Sequence, residues 1–380
     1  MCTLFLIVLA ALCPMLAAAG ETASGKTEPA PAATDWPVFR GNPASTGVAA
    51  ITLAPQLSLR WSIEAGAAVE ATAAIAGETV YVATTKGRVL ALRIADGSIL
   101  WDVRVGGGVL AGLAFADGRL FVGADNGRFA ALNAVDGKEL WALETEGQIV
   151  SAPVVADGTV YFGSYDHGLY ALDAAKGVLR WKYEADAPLH GAPAVASGLV
   201  LAAGCDGILL LLDPRTGALR RQVETGDHFS AGPACADGEA WLGSMEGNVR
   251  AVRLSDGAIV HDIGQEAKLG PCYAHAAVTE STVVIATRRR QIVGVNRATG
   301  AVQWRFRTGD KADASPVVSG STVYAASDDG HLYGLQLETG KEIWRFPTGA
   351  PVTASPAIGR NVLVVGARDG AVYCFEPAKP

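Results

Sequence analysis

The chain has 380 residues, of which half are apolar and 18% are charged, and its formal net charge is −7. This composition supplies enough apolar side chains for a large core. Its acidity disfavours a nucleic-acid partner, which would require a basic surface.

The first 19 residues predict a secretory signal peptide. Residues 4–12 form an apolar run that is too short to span a bilayer. The small residues 17–19 match an A-x-A cleavage site before Gly20, although no Lys or Arg precedes the apolar run. We therefore expect an exported protein, periplasmic or extracellular, with no transmembrane segment after cleavage.

The cysteines predict neither a lipid anchor nor a metal or redox motif. Cys13 follows Leu12 where an acylated cysteine requires a small residue. The mature chain would keep four cysteines with no C-x-x-C spacing, so we expect small buried residues in strands. One disulfide is an alternative, and its pairing is left open. These four are Cys205, Cys235, Cys272 and Cys374.

Two short segments precede the main body of the chain. Residues 20–34 are rich in Ala, Pro, Thr and Glu, which predicts a flexible linker. Residues 35–50 begin with Asp35-Trp36-Pro37 and are compact, aromatic and turn-rich. We expect this extension to pack on the domain formed by residues 51–376.

A repeat of forty residues runs through that domain. A fixed period of this length indicates repeated supersecondary units. Arg221 and His261 keep the register where a tryptophan is missing, and three inserted residues follow His261. The tryptophans that define the period are Trp61, Trp101, Trp141, Trp181, Trp304 and Trp344.

Each copy of the repeat predicts four short strands. In the third copy, β-branched and aromatic runs are bounded by turn signals such as Asp157-Gly158. Small residues crowd the first strand, and the tryptophan lies on the fourth. Radially stacked sheets explain this pattern, because they converge at the axis and separate at the rim.

Counting the copies predicts eight blades. The last copy ends before a fourth strand, whereas residues 57–63 form a lone fourth strand. We therefore predict an all-β, eight-bladed propeller of four-stranded antiparallel blades, closed by this N-terminal strand. First strands are expected to begin near Val69, Val109, Ile149, Leu189, Phe229, Cys272, Ala312 and Val352.

The segment Ala171-Leu-Asp-Ala-Ala-Lys-Gly-Val-Leu-Arg-Trp181 resembles the tryptophan-docking repeat of the quinoprotein-like (PQQ-like) β-propeller family. Residues 131–141 match well, and the copies ending at Trp304 and Trp344 have Gly in place of Ala. The resemblance covers residues 57–376. It implies the propeller fold and leaves the function to the sites that the fold carries.

The family contains two functional branches. One binds pyrroloquinoline quinone with calcium and oxidises alcohols or aldoses, often with an adjacent Cys-Cys pair, which this chain lacks. The other branch is non-catalytic and includes the outer-membrane protein assembly factor BamB. We expect a monomeric BamB-type protein-binding or scaffolding module without a cofactor. The alternatives are a small quinone- and calcium-dependent dehydrogenase and a ligand-sensing propeller.

One ring of residues is expected around the axial channel. Convergent polar groups there predict a ligand or peptide pocket, although a merely wet channel is the alternative. His190 and Asp313 are a possible base and its orienter, but no Ser or Cys is evident beside them, so a hydrolase is not expected. The predicted ring is Glu70, Leu110, Val150, His190, Ser230, Tyr273, Asp313 and Thr353, with His228 and His275 nearby.

The turns between second and third strands are expected on the same face. Arg288, Arg289 and Arg290 replace the usual acidic turn, which predicts a basic docking patch on an acidic protein. A solvated loop is the alternative. Tyr165 and Met245, in equivalent turns, would add apolar contact area to the same face.

Overall fold

The computed structural model describes residues 34–264 and 267–379. The predicted signal peptide, Cys13 and residues 20–33 of the predicted linker lie outside the described residues. The described chain forms eight four-stranded antiparallel sheets, which confirms the predicted all-β, eight-bladed propeller. No helix in this part of the chain is both long enough and apolar enough to cross a membrane.

The first four blades follow one another in sequence, each with its strands numbered from the axis outward. Their strands are β2 (Ala74–Ala76), β3 (Thr79–Ala83), β4 (Arg88–Arg93), β5 (Ile99–Arg104), β6 (Ala114–Ala116), β7 (Arg119–Gly123), β8 (Arg128–Asn133), β9 (Glu139–Glu144), β10 (Val154–Ala156), β11 (Thr159–Gly163), β12 (Gly168–Asp173), β13 (Leu179–Glu184), β14 (Ala194–Ala196), β15 (Leu199–Ala203), β16 (Ile208–Leu212) and β17 (Leu219–Glu224).

The last four blades include the one that closes the ring. Their strands are β18 (Ala234–Ala236), β19 (Glu239–Gly243), β20 (Val249–Arg253), β21 (Ile259–Ile263), β22 (Ala277–Val278), β23 (Thr282–Thr287), β24 (Gln291–Asn296), β25 (Val302–Arg307), β26 (Val317–Ser319), β27 (Thr322–Ser327), β28 (His331–Gln336), β29 (Glu342–Pro347), β30 (Ala357–Gly359), β31 (Val362–Gly366), β32 (Ala371–Pro377) and β1 (Leu57–Glu64).

The N-terminal strand closes the ring as predicted. Strand β1 pairs antiparallel with β32, from Leu57 opposite Pro377 to Glu64 opposite Ala371. It supplies the fourth strand that the last repeat lacks. Because β1 pairs with β32, the last blade has all four strands and the ring of blades is closed.

The innermost strands begin five residues later than predicted. The first blade has its inner strand at Ala74–Ala76, whereas the pattern indicated a start near Val69. Val69 donates its backbone N–H to the carbonyl of Ala367 in the preceding blade, and Val109 does the same with Thr84. In each repeat, the apolar run in the sequence therefore starts with a residue that hydrogen-bonds to the preceding blade. The inner strand itself starts five residues later.

Each ladder tryptophan is hydrogen-bonded to the next blade. In five of the six, the indole Nε1 donates to a backbone carbonyl 33 residues further along, as from Trp101 to Ala134 at 2.8 Å, whereas Trp344 bonds Leu57 of the closing strand. A glycine with positive φ packs against each of those five rings, and a Cβ at Gly137 would lie 2.8 Å from the Trp101 ring. The remaining bonds run from Trp61 to Ile94, Trp141 to Ala174, Trp181 to Pro214 and Trp304 to Leu337.

In the fifth blade a histidine takes the tryptophan's place in an aromatic pair that recurs in other blades. His261 stacks on Trp241, with ring centroids 5.4 Å apart. Trp241 lies on the second strand and is fully buried. Four other blades also carry an aromatic residue at this position, namely Tyr81, Phe121, Tyr161 and Tyr324. At the other gap Arg221 is exposed, although its side chain still contacts the glycine turn at Gly257.

The extension before β1 fills the lower end of the channel. It hydrogen-bonds the inner strands of six blades and the Arg360 turn of the eighth, beginning with two bonds between Trp36 and Ile75. Arg40 is fully buried, and its guanidinium donates to the carbonyls of Ala276 and Pro316 at 3.1 and 2.6 Å. Further bonds join Pro37 to Phe115, Pro43 to Val195, Ala44 to Cys235, Thr46 to Val278 and Gly47 to Val318.

Truncating one ladder tryptophan should destabilise the ring strongly. The Trp101→Ala substitution removes a buried indole and its bond to Ala134, so we expect a loss of about 3–5 kcal/mol in the free energy of unfolding. Arg221→Ala occupies the same register but removes an exposed side chain, and should cost less than about 0.5 kcal/mol. Chemical denaturation of both variants measures this difference. Equal losses would show that the indole does not carry the contact between blades.

Candidate binding face

All eight predicted channel residues line one cavity. The cavity holds about 170 Å³ and opens on the face where the second-to-third-strand turns lie, here called the top face. Phe39 from the N-terminal extension lines the same cavity. The channel is therefore a cup with an open mouth, since the extension occupies its lower end. The inner ring of this cup consists of Glu70, Leu110, Val150, His190, Ser230, Tyr273, Asp313 and Thr353.

A second ring surrounds the first. It contains the first residue of each second-to-third-strand turn, and in seven blades the backbone N–H of that residue bonds a carbonyl just before the inner ring. Because these bonds use only the backbone, the side chains of this outer ring are free to vary. The outer ring reads Thr85, Asp125, Tyr165, Cys205, Met245, Arg288, Asp328 and Arg368.

In blades six, seven, eight and one, charged side chains of the outer ring form ion pairs with charged side chains of the inner ring. Arg288 forms a bidentate ion pair with Asp313, with both N···O distances at 2.9 Å, and its guanidinium lies 3.6 Å from the ring centroid of Tyr273. Arg368 pairs with Glu70 at 3.0 Å. Lys311 joins Asp313 to Asp328, at 3.1 and 3.4 Å. We call this part of the top face the charged sector; its three cations balance three carboxylates.

The predicted arginine patch is thus partly neutralised. Arg288 points to the inner ring and holds Asp313, and this hydrogen bond raises its pKa. Arg290 lies 3.9 Å from Asp310, whereas Arg289 donates to the carbonyl of Lys268. Of the three arginines, Arg289 alone contacts no carboxylate within the described part of the chain.

The opposite part of the top face carries no ion pair between the rings in the residues that the structure describes. Here an open depression of about 340 Å³ is lined by side chains that include two predicted contact residues, Tyr165 and Met245. Tyr165 is 40% exposed, and Leu110 of the adjoining inner ring is 37% exposed. We call this part the neutral sector. The lining residues of its depression are Val150, Tyr165, His190, Cys205, Ser230, Met245 and Tyr273.

His190 and Asp313 do not form the pair considered from the sequence. His190 Nε2 lies 3.1 Å from the carbonyl of Phe229, while Asp313 is held by Arg288 and Lys311. Cys205 is instead the neighbour of His190, with Sγ 3.4 Å from Nε2. Sequence reasoning missed this contact, although Cys205 occupies the same turn position as Tyr165 and Met245.

The cysteine and histidine of this pair are both electrically neutral groups in the fold. Burial raises the pKa of the Cys205 thiol, and the carboxylate of Asp206 adds to this shift. Burial also lowers the pKa of His190. A protonated thiol is a poor nucleophile, so the pair lacks the chemistry of a cysteine hydrolase.

The other three cysteines are free and buried, as expected from the sequence. Burial raises the pKa of Cys235, of Cys272 and of Cys374 to about 12. All four cysteines of the described chain carry free thiols, so the disulfide alternative is not realised in this structure.

His275 lies below the inner ring and belongs to the wall of the cup. It packs edge-on against Phe39 with centroids 4.9 Å apart, and its Nε2 accepts the backbone N–H of Gly232 at 3.0 Å. Burial lowers the pKa of His275 to about 3, and the nearby charge of Arg40 contributes. The imidazole therefore stays neutral and holds three segments together.

His228 lies on the exposed rim and not in the cup. Its Nδ1 pairs with Glu246 Oε1 at 2.6 Å, and this hydrogen bond raises the pKa of His228. Among the described residues, no cluster of three or more His, Cys, Asp or Glu side chains is placed to hold a metal ion.

The chain matches the family model described as outer membrane protein assembly factor BamB, over residues 44–110, 86–235 and 245–379. The chain belongs to this family. A search of curated protein sequences finds no match, so the family is established by the model and not by a close relative.

Solved structures show the same fold in proteins of different kinds. BamB from Moraxella catarrhalis is 20% identical, with 84% of this chain and 97% of that chain covered at a TM-score of 0.72. Quinohemoprotein alcohol dehydrogenase from Comamonas testosteroni is 16% identical, covering 91% and 81% at 0.76. The computationally designed Ika8 protein is 19% identical, covering 84% and 99% at 0.76. These likenesses show the propeller fold alone, because it is shared by an assembly factor, an oxidoreductase and a designed protein.

The buried imidazole predicts a specific loss of stability in mild acid. An unfolded chain protonates His275 below about pH 6.5, whereas the folded chain keeps it neutral down to about pH 3. The unfolded state therefore binds more protons in this window, and stability falls as pH falls. Between pH 7 and 5 the His275→Gln variant should lose about 2 kcal/mol less than the wild type.

Denaturation at both pH values measures this difference. His228→Gln is the matched control, and it should keep a decline at least as steep as the wild type because the pKa of His228 is raised. An identical pH dependence for wild type and His275→Gln would contradict the assignment of a neutral buried imidazole.

Proposed function

We propose that the chain is an exported, non-catalytic propeller whose top face binds a segment of a partner protein. The observation that carries this proposal is the composition of the top face. Its side chains are not needed for the backbone bonds between blades, yet they divide into a neutral sector and a charge-balanced sector. Tyr, Met and Arg, the types enriched in protein interfaces, occupy the outer ring.

The neutral sector supplies the apolar part of this surface. Tyr165 and Leu110 project exposed apolar area beside an open depression. Rigid aromatic side chains at the centre of an interface typically contribute most of the binding energy. The charged sector adjoins it and would set orientation, since its carboxylates and cations are held in place by one another.

Membership of the BamB family supports a role in protein assembly at an export destination. The predicted signal peptide agrees with export to the periplasm or the exterior. A monomer bearing one open face and one filled channel end suits a module that holds a partner segment.

The quinone-dependent dehydrogenase is the competing proposal, and the residues of the cup do not fit its cofactor. Calcium takes six to eight oxygen ligands. The described lining residues include two carboxylates, Glu70 and Asp313, and both are already paired with cations. Phe39 also occupies the floor of a cavity of only about 170 Å³. We therefore derive no oxidation chemistry from this site.

Photo-crosslinking tests where the partner binds. A photoreactive phenylalanine analogue replaces Tyr165 or Leu110 on the top face in the native host. The matched control replaces Val178, which is 59% exposed in a third-to-fourth-strand turn at the other end of its blade. We expect one discrete protein adduct at both top-face positions and none at Val178.

Two results would contradict the proposal. The first is an adduct at Val178 with none on the top face, which would move the binding surface elsewhere. The second is saturable binding of pyrroloquinoline quinone with calcium, accompanied by dye-linked alcohol oxidation, which would make the chain an enzyme.

A further inference from the structure

The junction between the fifth and sixth blades carries a concentration of positive charge. Lys268 lies in the loop that joins the two blades. Arg289 and Arg290 lie in the turn after β23, and Arg305 and Arg307 lie on the outer strand β25. All five residues are exposed. We call this set the basic junction.

Hydrogen bonds join these cations into one continuous surface. Arg305 Nη2 donates to the carbonyl of Ala267 at 2.5 Å, and Arg289 Nη1 donates to the carbonyl of the next residue at 3.4 Å. Two guanidinium groups therefore bond adjacent carbonyls of the same loop. Arg305 Nη1 also donates to Gln291 Oε1 at 2.9 Å, and Gln291 lies opposite Arg307 across β24 and β25.

Carboxylates of the fold do not balance the basic junction. Among the described residues, its one contact with a carboxylate is that of Arg290 with Asp310, at 3.9 Å. Glu266 precedes the loop residue Ala267 in the sequence and lies outside the described residues. Even when both carboxylates are counted, the five cations outnumber them. An acidic protein thus carries a local positive surface, which favours a negatively charged ligand.

This charge is a departure from the repeat and not a property of every blade. Five of the other seven turns have Asp or Glu at the position of Arg289, and four of the other seven outer strands have Glu at the position of Arg307. Of the eight outer strands, β25 alone has cations at both positions, those of Arg305 and Arg307. The loop that contains the three-residue insertion adds Lys268. Three separate parts of the repeat therefore change toward positive charge at one place.

The arrangement of the cations fits an extended polypeptide. Arg305 and Arg307 lie on one side of β25, because side chains two residues apart on a strand share a face. Their spacing of about 7 Å is also that of alternate side chains in any extended chain. A lipid surface fits less well, since none of the exposed large apolar side chains of the described chain lies in the sixth blade.

We propose that the basic junction binds an extended acidic segment of a partner protein, whose alternate carboxylates pair with Arg305 and Arg307. The inference rests on the proposed function in taking a protein as the partner. It adds a second contact, on the side of the ring, and it states the charge that the partner segment must carry there.

Fluorescence anisotropy of a fluorescein-labelled peptide of alternating Glu and Ser, titrated with the full chain, tests the site. We expect saturable binding that weakens as salt is raised, because exposed charges are screened. Arg305→Gln and Arg307→Gln should each weaken the affinity at least about threefold, and the double variant about tenfold. Arg345→Gln is the matched control and should leave the affinity unchanged, because Arg345 occupies the register of Arg305 on β29 and pairs with Glu342.

Arg307→Glu separates binding from folding. The Arg307 side chain makes no hydrogen bond or ion pair within the described part of the chain, so this variant should unfold at the temperature of the wild type and yet lose the peptide. A wild-type chain that does not bind the peptide, or an equal loss in Arg345→Gln and Arg307→Gln, would overturn the site. So would binding to phosphatidylglycerol vesicles in place of the peptide, which would assign the junction to a lipid surface.

Failure of this site can be told from failure of the proposed function. Crosslinking from Tyr165 on the top face does not involve the basic junction, so it should persist in Arg307→Glu. Loss of the crosslinks together with retained peptide binding would instead contradict the top-face proposal alone.

Discussion

The indole N–H of each ladder tryptophan donates to a backbone carbonyl of the next blade, and the closed ring depends on this bond. It ties the outermost strand of one sheet to the turn that begins the outermost strand of the next. A glycine of positive φ in that turn lets the chain approach the ring, as Gly137 does at Trp101. The bond from Trp344 to Leu57 joins the seventh blade to the N-terminal strand β1, which completes the eighth. Closure therefore uses the same interaction as every other tryptophan-bearing contact between blades.

Backbone atoms and outer-strand tryptophans hold the blades together. Most side chains of the top face are therefore not needed for the hydrogen bonds between blades. Asp125 alone of the outer-ring side chains that the structure describes accepts a backbone N–H at a blade junction, that of Gly108. The blade-linking bonds at the other positions use backbone atoms, which permits residues as different as Met245 and Arg288 to stand there. The inner ring, by contrast, joins the two sectors around one cup. Filling of the lower channel end by Phe39 and Arg40 leaves the top as the open side. The proposed binding to the top face rests on two features: its side chains are free to vary, and the channel is open only on this side.

Sequence periodicity was sufficient to predict the blade number, the closing strand and the membership of the inner ring, since all three follow from register. It placed the inner strands five residues early, because apolar residues such as Val69 serve the contact between blades before the strand begins. His261 keeps the ring contact of the missing tryptophan, because it stacks on Trp241 as Trp101 packs on Tyr81. Pairs such as Arg288 with Asp313, or Cys205 with His190, depend on side-chain directions at the converging ends of blades. A repeat pattern carries no information on those directions.

Native-state hydrogen exchange of residues 34–64 tests the central claim, that the N-terminal segment fills the channel and closes the ring as part of one cooperative structure. The amides of Trp36 and of β1 should exchange only through global unfolding, at the same free energy as the interior strands, because their hydrogen bonds belong to the first and last blades. Exchange of these amides within seconds, while the interior strands stay protected, would contradict the account.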